Sequence, residues 1–131
     1  MRPSGGAFRV RLALLLVVLL SGCSNPGGDS EPGVTYGDEF TIQPRGSREV
    51  NFVMEANASV HVAFEASANV TWDVHSHPGG RVRIWQEGSG LEATIDFTAP
   101  EPDTYSVWIK SASATPVAVR YEMEGAFALE A

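Results

Sequence analysis

A chain of 131 residues in which 16 acidic side chains face nine basic ones carries a formal charge of −7, and its one cysteine leaves no partner for an internal disulfide. An acidic balance of this kind repels phosphate backbones and anionic headgroups, which excludes charge-driven binding to nucleic acid or lipid and leaves cations and proteins as partners. The length suits one domain with a real core.

In chain order, Arg2, Arg9 and Arg11 form a positive opening, and residues 12–20 (Leu-Ala-Leu-Leu-Leu-Val-Val-Leu-Leu) form an apolar run that ends at small residues. Nine helical residues rise about 13.5 Å, less than half of a roughly 30 Å hydrocarbon core, so the run is expected to be a cleaved signal and not a permanent span. Leu20-Ser21-Gly22-Cys23 then closes the run. This tetrapeptide resembles the lipobox of bacterial lipoproteins. The resemblance implies a diacylglyceryl group on the Cys23 sulfur, cleavage between Gly22 and Cys23, and acylation of the new amine. Residues 1–22 are thus read as a lipoprotein signal peptide, and 23–33 as the lipidated cysteine with a flexible tether rich in Gly, Ser and Pro. The expected location is the bacterial cell envelope. In a Gram-negative cell, Ser24 resembles the sorting pattern for an outer membrane facing the periplasm; otherwise the place is the outer face of the cytoplasmic membrane. With Arg2, Arg9 and Arg11 removed, six basic residues face all 16 acidic ones, a balance of −10.

Residues 34–131 read as one domain with a period of two. Val50, Phe52 and Met54 share a face, as do Val60, Val62 and Phe64, then Val70, Trp72 and Val74. Val82 and Ile84 follow, then Leu91, Ala93, Ile95 and Phe97, then Tyr105, Val107 and Ile109, and finally Val117, Val119, Tyr121 and Met123. Residues 36–42 supply an N-terminal eighth strand. Turn-forming stretches at 44–47, 56–59, 67–69, 78–80, 88–90, 99–103 and 111–116 separate the runs, and no helical stripe competes. The pattern predicts an all-β, antiparallel β-sandwich of seven to eight strands, jelly-roll-like in outline.

Within residues 68–125 come Asn-Val-Thr-Trp-Asp-Val, a Pro-Gly-Gly turn, Trp85-Gln86-Glu87-Gly88, Ile95-Asp96-Phe97-Thr98-Ala99-Pro100 through Tyr105, and Pro116-Val117-Ala118-Val119. This order resembles a GOLD (Golgi dynamics) domain. The resemblance implies a β-sandwich that acts in binding and assembly without catalysis. Asp103 stands where a glycine is usual before the tyrosine, and the eukaryotic disulfide has no cysteines to form it.

One segment points to chemistry beyond packing. On a strand, Asp73, His75 and His77 project to one side at spacings of about 6.6 to 6.8 Å, and two imidazoles so placed can grip one zinc or copper ion. Asp73, or His61 from a neighbouring strand, would complete the set. His75-Ser76-His77-Pro78 also matches the core of the JAMM metalloprotease motif, but Gln86 and Ser89 stand where that motif needs its serine and its aspartate ligand. Trp85 and Trp108 fall opposite their strands' apolar sets, either as an exposed aromatic patch or as cover for an edge of the sandwich. The combined expectation is a lipid-anchored envelope protein with a GOLD-like, non-catalytic interaction domain. It needs no cofactor, binds a protein partner in the envelope and reaches the membrane through its lipid. The alternatives are a zinc- or copper-binding protein using His75 and His77, and a divergent metallopeptidase.

Overall fold

Alternating apolar side chains over most of the domain produce strands with one buried face, and the computed structural model describes residues 33–130 in that form. Cys23, the signal segment and the tether before Gly33 lie outside the described residues. The elements are β1 (Val34–Ile42), β2 (Ser47–Met54), β3 (Ser59–Ser76), a single 3-10 turn (Pro78–Gly80), β4 (Arg83–Thr98), β5 (Asp103–Ser111), β6 (Val117–Gly125) and β7 (Ala128–Leu129). They form one antiparallel seven-stranded sheet in the order β1-β6-β3-β5-β2-β7, with β4 on the remaining edge of β3.

The sheet becomes a sandwich because β3 and β4 are long and bent. Residues 60–66 of β3 pair with β6, residues 70–76 pair with β5, and β4 accompanies both halves. One layer is therefore β1-β6-β3-β4 and the other β4-β3-β5-β2-β7, with the β3-β4 hairpin crossing between them. At the crossing Glu65 faces Glu92 while Val70 already faces Gly90, so four residues of β3 oppose Leu91 alone. Such a bulge bends a strand and raises its twist. The turn-like stretches at 67–69 and 88–90, expected to end strands, lie inside β3 and β4 as this corner. Four expected runs are thereby two strands, and β7 is an addition.

Three expected core positions are corrected by the fold. Leu91, opposite the bulge, is 54% exposed, and Val82 and Ile84 are 63% and 50% exposed. A second shift, between Val74 facing Gln86 and His75 facing Ile84, skips Trp85 and reverses the face of what precedes it. Trp85 consequently packs against the core, its ring 6.4 Å from that of Phe97 and its Nε1–H donating to Ser76 Oγ at 2.9 Å.

Inside, an aromatic series crosses both layers: Phe127 lies 6.1 Å from Phe52, Phe52 6.5 Å from Tyr105, and Tyr105 5.0 Å from Phe97, centroid to centroid. Tyr105 and Phe52 are fully buried, and the Tyr105 hydroxyl donates to the Glu101 carbonyl at 2.6 Å, tying down the β4-β5 loop. Truncating a buried aromatic of this kind costs about 3–5 kcal/mol. Tyr36 and Phe40 of β1 cover Tyr121 from the other end, at 6.2 and 6.3 Å.

Two consequences are measurable. Gly125 holds φ at +150°, and a Cβ there would strike the Ser59 carbonyl oxygen. Gly125→Ala is expected to destabilise the fold by at least about 1–3 kcal/mol, the backbone strain to which the clash with Ser59 adds, read from the midpoint of urea unfolding. Burial, with a smaller contribution from Tyr36, raises the Tyr121 pKa well above its ordinary value. Folding thus favours the neutral phenol. The stability it contributes is intact below the unfolded pKa, about 10, and falls as pH rises beyond it. Urea melts between about pH 9 and 11 should show that loss, with a shallower slope in Tyr121→Phe and a remainder from Tyr36 and Tyr105, whose pKa values are also raised, chiefly by burial.

Candidate functional site

Beyond the corner, β3 turns Val74 inward and Asp73 and His75 outward. Asp73 pairs with Trp108 and His75 with Ser106 on β5, while on β2 Glu49 pairs with Trp108 and Asn51 with Ser106. Directly opposed residues of antiparallel strands share a face, so these six side chains form one outer patch across three strands. Ser106 Oγ donates to Asn51 Oδ1.

His75 lies at its centre and is only 4% exposed, although it points away from the core. Its Nδ1 is 2.6 Å from Asp73 Oδ1, and its Nε2 is 3.0 Å from Glu49 Oε2, a contact that passes over β5. Trp108 and His77 complete the cover, edge-on at 6.0 and 5.1 Å between ring centroids. The group is a cross-strand clamp that joins β3 to β2.

This geometry bears on the metal-ligand expectation. Asp73 and His75 are brought together as expected, but both ring nitrogens of His75 face carboxylates and neither is turned to share an ion with His77, whose ring stands at 89° to it. His61 does not join them. It lies on the half of β3 that pairs with β6, where its Nδ1 is 2.7 Å from Asp96 Oδ1. Among the described residues no group of three or more His, Cys, Asp or Glu side chains is placed to hold a metal. Glu49 is the member that sequence reasoning missed; it follows from the β2-β5-β3 strand order, which alternation alone does not reveal.

The two tryptophans do not meet as a patch. Trp85 is drawn to the core by the register shift, and Trp108 stays on the outer face with Lys110 Nζ 4.7 Å above its ring. Arg83 lies 4.3 Å over Trp85, so each indole carries a cation. Beside Lys110, at the corner, a cavity of about 280 Å³ is lined by Asn69, Thr71, Ser89, Gly90 and Ser111 among others.

The architecture defines an all-β protein of the antiparallel, jelly-roll-like sandwich class. No protein-family model matches the chain, and no curated protein matches it in sequence. Among solved structures it is similar to a mitogen from Yersinia pseudotuberculosis, at 14% identity over 71% of this chain and 85% of that one, with a TM-score of 0.50. It is also similar to Aeromonas hydrophila PliG, a periplasmic inhibitor of g-type lysozyme, at 15% identity over 72% of this chain and 85% of that one, TM-score 0.50. At these identities the likeness is one of fold.

Removing His75 leaves Asp73 and Glu49 without the ring that lies between them. His75→Ala is therefore expected to cost about 1–3 kcal/mol, whereas the exposed His77→Ala should stay within about 0.5 kcal/mol of the parent. Urea unfolding of the two variants side by side checks this.

Proposed function

We propose that the chain is a lipid-anchored envelope protein whose GOLD-like β-sandwich is a non-catalytic interaction module. The observation that carries this reading is Leu20-Ser21-Gly22-Cys23 at the end of an apolar run too short to span a bilayer. Each buried methylene of an acyl chain contributes about 0.8 kcal/mol, so two or three chains on Cys23 make a stable anchor where one is marginal. The clamped His75 supports binding over turnover, since an imidazole engaged at both nitrogens offers no free base to a nucleophile. PliG, which shares the fold, is by name an enzyme inhibitor, in keeping with a sandwich used to bind protein.

Expression of the full chain in a bacterium with an alkyne-bearing palmitate tests the anchor. The parent is expected to take up label and sediment with membranes, and Cys23→Ala to lose the label and move to the soluble fraction. A Cys23→Ala chain that stays labelled, or stays with the membrane, would overturn the reading.

A further inference from the structure

The edge of β4 that faces away from β3 carries no strand among the described residues. Its second arm is regular, since the seven pairs from Ser59 facing Thr98 to Glu65 facing Glu92 run without a shift. The side-chain contacts fix which backbone groups lie on that edge. Gln86 Nε2 donates to the Asp96 carbonyl at 2.8 Å, so this carbonyl is turned away from β3 and takes a donor from outside the ladder. His61 with Asp96 at 2.7 Å, and Ser59 with Thr98 at 2.8 Å, make the close side-chain contacts of non-hydrogen-bonded pairs. In an antiparallel strand each residue's N–H and C=O share a side and alternate along the chain. Glu92, Thr94, Asp96 and Thr98 therefore present their backbone groups to the free edge.

An unpaired edge is a template for strand addition, in which main-chain hydrogen bonds give affinity and flanking side chains select the strand. Here the selecting side chains on β4 are Glu87, Glu92 and Asp96, and Asp96 is 81% exposed. The one cation of β4, Arg83, is stacked on Trp85 at the far end. A second copy laid against this arm would bring carboxylates beside carboxylates, which is unfavourable, whereas Lys or Arg at alternate positions would meet Glu92 and Asp96. We propose that residues 92–98 of β4 are an acceptor edge for an extended, basic segment of a partner protein, Gln86 holding one acceptor until that segment arrives. The proposal rests on the interaction-module reading and names its surface.

The test uses the full chain in detergent and a fluorescent ten-residue peptide of alternating Lys and Val. It is expected to bind, and to slow amide exchange at Thr94 and Asp96. The same peptide N-methylated at every second residue, and an alternating Glu/Val peptide, should not bind. Glu92→Gln with Asp96→Asn should weaken binding about tenfold. Thr94→Pro removes an N–H that bonds nothing in β3, and should abolish binding while leaving the circular dichroism spectrum unchanged. Failure of the Lys/Val peptide to bind the parent chain, equal binding of the N-methylated or Glu/Val peptide, or equal binding by a folded Thr94→Pro chain would each overturn the edge assignment. Fractionation of Cys23→Ala reads the anchor alone, so the two readings fail separately.

Discussion

The structure depends on β3 leaving one layer and entering the other without giving up its pairing to β4. The bulge at residues 66–69, opposite Leu91, is where that transfer occurs. It lets β6 dock on the first half of β3 and β5 on the second, which creates two facing layers from one continuous sheet. The aromatic series from Phe127 to Phe97 fills the space so enclosed. Leu91 is the residue that loses burial in return, exposed at the outside of the corner.

The same bend gives the two outer faces different characters. On the β2-β5-β3 layer, carboxylates are consumed internally, Asp73 and Glu49 both closing on His75. On the β6-β3-β4 layer, Asp96 and Glu124 flank His61 while Glu92 lies four residues away along β4, and one flank of that layer is an open strand. The buried cluster around His75 on one layer thus contrasts with the exposed Asp96 beside His61 on the other.

Much of the fold was legible because alternation maps directly onto burial. Period two alone points Phe52, Val62, Ile95, Tyr105 and Tyr121 inward, and all are buried. What alternation cannot reveal is a change of phase inside a strand. Ser67 to Asn69 and Gly88 to Gly90 have turn chemistry, and the same small, permissive residues serve equally in a strand that must bend, so the two uses look identical in sequence. Trp85 and Ile84 lie on faces opposite to those alternation predicts for a related reason, since one skipped residue exchanges the faces. The site was legible in part. Asp73 and His75 are two apart on one strand, which sequence shows, but Glu49 reaches them from β2 across an intervening strand, and strand order comes only from the assembled sheet.

The hairpin that shapes the sandwich has a further consequence, for the order in which the chain assembles. Among the paired strands, only β3 and β4 are neighbours in sequence; every other ladder joins distant segments, as Val34 to Gly125 and Ser47 to Lys110 show. Closing long loops costs entropy before contacts repay it, so local pairing is favoured first. The bent hairpin is the ladder that loop entropy favours forming first, and each of its arms offers an edge to β5 or β6. That hairpin turns on a corner made of Ala66 to Asn69 and Gly90, small and polar residues beside the core they organise.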